Sequence, residues 1–228
     1  MRNPVTLHPT FTRALIAGAC ALAFAGCASQ KGQPTTQFDF GPVPVPAPAT
    51  AAAPNGAPSA ALGAIVITDI TGSSALDSER MFYRLSYADQ MQARTYAHSR
   101  WTANPLQLMT QRVKTRIGQS GAKVLSETDA SLGIPLLRID VDEFMHDFSS
   151  ATQSSGRVAV RASVFRGHTL VDQRSFVRST PANSADAAGG ARALAASTDA
   201  VAADIVGWLG TLGAAANADT NANTNVRR

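Results

Sequence analysis

A cysteine near the start of the chain stands where a bacterial lipoprotein is cleaved and lipid-modified. Cys27 follows the small residues Ala25 and Gly26, and Phe24 occupies the position where Leu is usual. Small residues fit the cleft of the lipoprotein signal peptidase, whose product is acylated on its thiol and its freed amine with groups such as palmitate. The sequence therefore predicts lipidation of Cys27. The alternative is an ordinary secretory signal that contains a cysteine by chance.

The residues before Cys27 have the composition of an export signal. Arg2 and Arg13 are its charged side chains, and the segment 14–25 is almost wholly apolar. About a dozen apolar residues are too few to cross a bilayer as a helix, which needs roughly 20. We therefore expect residues 1–26 to be a signal peptide that is removed after export.

The cysteines and the first mature residues predict the compartment. Cys20 is lost with the signal, so the mature chain keeps only the lipidated Cys27 and no disulfide can form within it. Ala28 stands where an Asp retains lipoproteins in the inner membrane of enteric bacteria. We therefore expect a lipid anchor in the outer membrane, on its periplasmic face.

An acidic cluster with one histidine is the strongest candidate for metal or acid–base chemistry. It comprises Asp140, Asp142, Glu143, His146 and Asp147. Carboxylates and imidazole bind metals and transfer protons. On an alternating strand, however, these carboxylates would occupy the solvated face near arginines, and we favour that interpretation. We expect no metal, no cofactor and no enzymatic activity, because the sequence also lacks a nucleophile elbow, a zinc-binding His-Glu-x-x-His motif and a phosphate-binding loop.

The basic isoelectric point does not indicate a nucleic-acid-binding protein. Residues 62–212 contain 15 Lys and Arg against 14 Asp and Glu, and these charges are well mixed. A nucleic-acid-binding domain would cluster its cations on the folded part. We therefore expect no nucleic-acid partner.

Composition divides the chain into four segments. A signal peptide at 1–26 is followed by a lipidated tether and Pro/Ala-rich linker at 27–61, a globular domain at 62–212 and a disordered tail at 213–228. Within the linker, residues 37–41 form an apolar island that is a candidate first strand. If this island docks, about ten tether residues reach about 30 Å, whereas an undocked linker could extend about 100 Å.

Local patterns predict the elements of the domain. Alternation predicts strands at 64–70, 81–87 and 122–125, a strand from 137 to 148 with a bulge near Glu143, and a hairpin that turns at 166–168. Helices are predicted from Pro105, capped by Asn104, to about Gly118, and from 183 or 184 to Leu209. Tyr83 and Tyr87 share a strand face and are expected in the core.

The order of these elements predicts the fold class. Strands, a helix, more strands and a final helix form an α+β fold. We expect a two-layer sandwich with a mostly antiparallel sheet and two main helices on one face.

Several stretches together resemble the ABC-type transport auxiliary lipoprotein family. The most specific are Tyr83-Arg-Leu-Ser-Tyr87 and Tyr96-Ala-His-Ser-Arg-Trp101, and the resemblance extends over about 38–209. Weaker matches lie at 38–42, 105–109, 137–144 and 157–161. The chain departs from the family's pattern in the Pro/Ala insert that separates 38–40 from the next strand.

This resemblance implies an accessory, non-catalytic role in lipid transport between membranes. The partners would be the mammalian-cell-entry (MCE) domain protein, the permease and the ATPase of the transporter, and the chain would dock that transporter at the outer membrane. Further copies of the same chain, in a homo-oligomeric ring, are another partner compatible with this role. The alternative is a structural envelope lipoprotein that assists assembly of another outer-membrane complex.

Three residues of the matching block are candidates for contact with a partner or with lipid: Tyr96, Arg100 and Trp101. The alternative is that Trp101 packs the start of the first helix against the sheet, while Arg100 pairs locally.

Overall fold

A computed structural model describes residues 34–43, 63–129 and 133–225, with side chains as far as residue 213. The predictions for the signal peptide, Cys27 and most of the Pro/Ala-rich linker concern residues outside these ranges.

The described chain forms nine strands and two α-helices. The strands are β1 (Thr36–Phe38), β2 (Ala64–Ile67), β3 (Thr71–Gly72), β4 (Arg80–Leu85), β5 (Ala93–Trp101), β6 (Lys123–Leu125), β7 (Leu136–Phe148), β8 (Ser154–Arg166) and β9 (Thr169–Pro181). The helices are α1 (Pro105–Gln119) and α2 (Ala187–Asn225), and a short 3-10 helix spans Ser74–Asp77. The α+β class predicted from the sequence is confirmed.

The long strand β7 organises the sheet. One of its edges pairs with β8, which pairs with β9, and the other edge pairs in succession with β2, β3 and β4. β6 lies beyond β2, while β5 and then β1 lie beyond β4. Five of the eight pairings in the described chain are parallel. The sheet is therefore mixed: its long pairings, β7 with β8 and β8 with β9, are antiparallel as predicted, while the short strands β2, β3 and β4 run in the same direction as β7.

The elements that depend on local sequence are where the sequence predicted them. The side chain of Asn104 accepts a hydrogen bond from the Gln107 amide at 2.8 Å, and Pro105 opens α1. The register of β7 on β8 shifts between Val141 and Glu143, which is the predicted bulge. The β8–β9 hairpin turns through Gly167, whose φ of 59° is a left-handed conformation that glycine adopts without strain.

Both helices cover one face of the sheet. Before the bulge β7 turns Leu137, Ile139 and Val141 inward, and after it Phe144, His146 and Phe148. The apolar faces of the two helices complete this core with Leu106, Met109, Val113 and Ile117 from α1 and Leu194, Val201, Ile205, Trp208 and Leu209 from α2. The final helix therefore packs on the sheet.

Two expectations about the elements were wrong. Helix α2 begins at Ala187 and continues to Asn225, beyond the predicted end at Leu209 and into the tail predicted to be disordered, because alanines favour helix and no proline interrupts them. Tyr87 is 52 % exposed rather than buried, because β4 ends at Leu85 and the chain turns outward there.

Two glycines allow α2 to lie directly on the sheet. A Cβ on Gly156 of β8 would overlap the backbone of α2 at Ala193 and Leu194, and a Cβ on Gly190 of α2 would overlap the His146 ring of β7. Because neither backbone has room to retreat in a close-packed core, glycine is required at both contacts.

A buried arginine fastens the N-terminal strand to the two helices. Arg112 of α1, 5 % exposed, donates to the carbonyl oxygens of Phe40 at 2.8 Å and Gly41 at 3.0 Å. Its Nε lies 2.9 Å from Asp199 Oδ1 of α2, close enough for an ion pair although the N–H does not point along a hydrogen bond. Arg116 Nε lies 3.3 Å from the same oxygen. One guanidinium thus joins β1, α1 and α2.

The apolar island of the linker is therefore part of the fold. β1 pairs in parallel with β5, so that Thr36 lies opposite Ser99 and Phe38 opposite Trp101. Phe40 is buried, with its ring edge-to-face on Trp101 at 5.5 Å. The candidate strand at 37–41 is confirmed, with bounds of Thr36–Phe38.

Replacing Arg112 with Gln should release β1. The variant loses two charge-assisted hydrogen bonds and leaves Asp199 with one cation fewer, so the free energy of unfolding should fall by about 3 kcal/mol. Hydrogen exchange of the β1 amides should accelerate more than exchange in β8. The control is Arg116→Gln, which removes a more exposed partner of Asp199 and should cost at most about 1 kcal/mol. Unchanged protection of β1 in Arg112→Gln would show that this arginine does not hold the strand.

Candidate functional site

The three candidate residues of the matching block all lie on β5, but the structure separates their roles. Trp101 is fully buried and contacts Phe40 and Phe144, with ring centroids 5.5 and 5.7 Å away. Trp101 is thus a core residue whose ring packs between Phe40, which follows β1, and Phe144 of β7. Tyr96 is half-buried and Arg100 is exposed.

An irregularity between β4 and β5 opens a groove beside Tyr96 and Arg100. Arg80 lies opposite Arg100, and Phe82 lies opposite Thr95. Between these two pairs β4 has one residue, whereas β5 has four. The longer segment of β5 must arch away from β4. The space between them has a volume of about 660 Å³ and is half open to solvent.

The walls of this groove are mostly polar. Residues 78–80 form one side, and Thr95, Tyr96, Ala97, Ser99 and Arg100 form the other. We call it the β4–β5 groove. The groove could not be predicted because β5 was not: the side chains of this strand are largely polar and exposed, so no apolar alternation marks it in the sequence. The signal that could have found it is the row of alternate polar residues Arg94, Tyr96, His98 and Arg100.

Two unpaired cations face each other across this groove. Arg80 and Arg100 are directly opposite on neighbouring strands, and both are exposed. Within the described part of the chain neither guanidinium has a carboxylate within ion-pair distance or a side-chain hydrogen bond, although Glu79 lines the same groove. Arg100 therefore does not pair locally, contrary to the alternative interpretation. Like charges directly opposite on a sheet are unfavourable, so the groove favours an anionic group.

Tyr96 holds the arched segment of β5 against the core. Its hydroxyl lies 2.8 Å from His146 Nδ1, and its ring packs on Tyr83 with centroids 4.6 Å apart. Burial, followed by the neighbouring Tyr83 and Asp186, raises the pKa of the Tyr96 phenol well above its ordinary value. The phenol is therefore neutral at physiological pH, and its role here is to position the strand.

His146 is the buried partner in the hydrogen bond with Tyr96. It is 0 % exposed, and its Nε2 has no hydrogen-bond partner in the described structure. Burial lowers the pKa of the imidazole to about 4, although the Asp186 and Asp147 carboxylates oppose that shift. His146 is therefore neutral at pH 7 and faces away from the acidic residues that surround it in the sequence.

Those acidic residues lie on the solvated face of the sheet, as the favoured interpretation held. Glu143 pairs with Arg84 and Arg157, each at 3.3 Å, and Asp142 lies 3.7 Å from Arg161. Ion pairs with this exposure contribute little to stability.

The remaining carboxylates of the cluster are also engaged. Asp140 accepts a hydrogen bond from Thr71, and Asp147 accepts one from Ser86. Across the described residues no group of His, Cys, Asp and Glu side chains is arranged to hold a metal ion.

Acid should destabilise the fold through His146. The imidazole titrates near 6.5 in the unfolded chain and near 4 in the folded protein. The unfolded state therefore binds more protons between these values, so stability is fully present above about pH 6.5 and falls as the pH drops toward 4, by up to about 3 kcal/mol. Urea unfolding of the wild type across this pH range should show the fall in the free energy of unfolding. For His146→Leu the free energy of unfolding should depend less on pH.

The exposed His98 of β5 provides the control for this effect. His98→Gln should keep the wild-type profile, since its ring is not buried. If the free energy of unfolding fell equally with pH in His146→Leu and in the wild type, the loss of stability in acid could not be assigned to His146.

Solved structures share this fold. The protein XCC0632 from Xanthomonas campestris, of the DUF330 family, superposes with a TM-score of 0.58 at 19% identity, over 67% of this chain and 87% of that one. A second structure, described as an uncharacterized protein, superposes with a TM-score of 0.55 at 12% identity, over 64% of this chain and 90% of that one. At these identities the likeness shows the fold alone.

Similarity at the level of sequence identifies more than the shared fold. Curated proteins give no match. None of the helices in the described ranges is long and apolar enough to cross a membrane. The model of a family described as the ABC-type transport auxiliary lipoprotein component matches residues 43–206, which include β2 to β9, α1 and most of the sheet-covering part of α2. The chain therefore belongs to the family of auxiliary lipoprotein components of ABC-type transport systems.

Proposed function

We propose that this chain is a non-catalytic, lipid-anchored accessory subunit of an ABC/MCE-type system that moves lipid between membranes, and that it docks the transporter at the outer membrane. The observation that carries the proposal is the family match over residues 43–206, which assigns an auxiliary lipoprotein role in ABC-type transport. The MCE-domain protein, the permease and the ATPase would be separate chains. Several copies of this chain around the end of the MCE protein are one arrangement that the proposal allows.

Lipid on Cys27 would supply the anchor. Each methylene that the acyl chains bury contributes about 0.8 kcal/mol, so three chains on one residue would anchor a protein stably at a membrane. Ala28 follows the cysteine in place of the inner-membrane retention Asp, which supports an outer-membrane destination.

The docking of β1 supports a short connection between anchor and domain. Because Thr36 is paired with β5 and Arg112 holds the carbonyl groups of Phe40 and Gly41, the proposed tether would comprise only the residues between Cys27 and β1. At about 3.1 Å per residue these reach about 30 Å. The folded domain would then work close to the membrane surface, and the Pro/Ala-rich insert after Val43 would not lengthen the tether.

Crosslinked pull-down from the native envelope tests this proposal. The full chain, tagged after Arg228, would be crosslinked briefly in cells and recovered in detergent, with partners identified by mass spectrometry. Enrichment of an MCE-domain protein together with a permease and an ATPase is the expected result. Recovery only of components of another outer-membrane assembly machine would instead favour the alternative of a structural envelope lipoprotein.

Cys27→Ser provides the matched control for the anchor. The variant should keep its signal peptide, carry no acyl groups in intact-mass measurements and lose the MCE-domain partner. Acylated protein of mature mass from Cys27→Ser would show that the anchor lies elsewhere.

A further inference from the structure

The β4–β5 groove has the charge and shape of a binding site for which the described chain supplies no ligand. Arg80 and Arg100 share one side of the sheet because residues directly opposite on antiparallel strands point the same way. Their Cα atoms are about 5 Å apart in such a pair. Two guanidiniums on long side chains can therefore converge on one group above the groove.

The groove is held open by contacts that do not involve the arginines. The Tyr96 hydroxyl is bonded to the buried His146, and the Tyr96 ring packs on Tyr83. These contacts fix the arch of β5, so removing either arginine should leave the groove in place. The site and its scaffold can thus be tested separately.

Within the described sheet, Arg80 and Arg100 are the two arginines that lie directly opposite each other. Other exposed arginines also lack a carboxylate partner, but two of them, Arg138 and Arg174, stack on an aromatic ring. Arg84, Arg157 and Arg161 on neighbouring strands each pair with a carboxylate, and Arg178 of β9 pairs with Asp204 of α2. Arg80 and Arg100 have no such partner, although they repel each other. An anion bound between them would replace this repulsion with two charge-assisted interactions.

The arrangement suits a phosphate better than a carboxylate. A carboxylate shared by two arginines, as Glu143 is shared here by Arg84 and Arg157, has only one oxygen for each guanidinium. A tetrahedral phosphate presents oxygens in several directions and can offer a bidentate pair to each of two guanidinium forks. The mostly polar walls of the groove offer no apolar slot for acyl chains. We propose that Arg80 and Arg100 bind the phosphate of a small phosphate ester or of a phospholipid headgroup. The lipid source, but not the phosphate site itself, rests on the proposed transport function.

Titration calorimetry on the purified, lipidated full chain in a phosphate-free detergent tests the site. The probes are inorganic phosphate, glycerol phosphate, a short-chain phosphatidylglycerol below its micelle concentration, and acetate. Arg80→Gln and Arg100→Gln should each weaken phosphate binding about tenfold, since each removes a hydrogen-bonding partner of a charged ligand. The control Arg166→Gln, which removes an exposed arginine from the end of β8, should bind like the wild type.

Thermal unfolding gives a second readout that separates binding from folding. Without phosphate, Arg80→Gln and Arg100→Gln should be at least as stable as the wild type, because the repulsion is relieved. Added phosphate should stabilise the wild type and Arg166→Gln more than Arg80→Gln or Arg100→Gln, since ligand binding stabilises in proportion to affinity.

The outcomes distinguish the sources of the phosphate. Tighter binding of phosphatidylglycerol than of glycerol phosphate supports a headgroup site, and equal binding supports a site for small phosphate esters. No binding of any phosphate, equal binding of acetate, or equal losses in Arg166→Gln would overturn the proposal. The envelope pull-down tests the transport role independently of these titrations. A negative result for the transport role would therefore not contradict the phosphate site, and a negative result for the phosphate site would not contradict the transport role.

Discussion

The fold depends on one buried guanidinium. Arg112 spans from the carbonyl oxygens of Phe40 and Gly41 to the carboxylate of Asp199, and so joins the N-terminal strand to both helices. A buried charge is costly unless it is paired and hydrogen-bonded. The arginine therefore fixes the segment that supplies its acceptors. With that segment in place Phe40 covers Trp101, β1 completes the edge of the sheet beside β5, and the chain that arrives from Cys27 enters the fold at Thr36.

What the sequence predicted well depends on neighbouring residues. Asn104 and Pro105 define the start of α1, alternation defines β7 and β8, and the slip of that alternation locates the bulge near Glu143. The features of the fold that the sequence did not predict depend on contacts between distant residues. The pairing of β1 with β5 needs Arg112 from a helix that follows much later, and the parallel pairings of β7 depend on how the chain crosses the sheet. β5 itself was hidden because a strand at the rim of a sheet needs few apolar side chains.

The candidate site shows the same division. Sequence resemblance singled out Tyr96, Arg100 and Trp101, but only the structure shows that Trp101 faces the core while Arg100 faces solvent. The opposition of Arg80 and Arg100 was not predictable, because it depends on the irregular register of β4 on β5. Within the irregular segment, Tyr96 is hydrogen-bonded to His146, which is 50 residues away in the sequence. The acidic cluster had the composition of a metal site, yet its carboxylates bind arginines and hydroxyls on the solvated face.

Together these features describe the domain of an auxiliary lipoprotein with a groove that carries two exposed arginines. The most direct test of the proposed role is the movement of newly made phospholipid between inner and outer membranes, followed by pulse–chase labelling in cells that lack this chain. The account predicts altered transfer that the wild-type chain restores and Cys27→Ser does not. Transfer and outer-membrane barrier function that are unchanged by deletion would contradict a role in lipid transport.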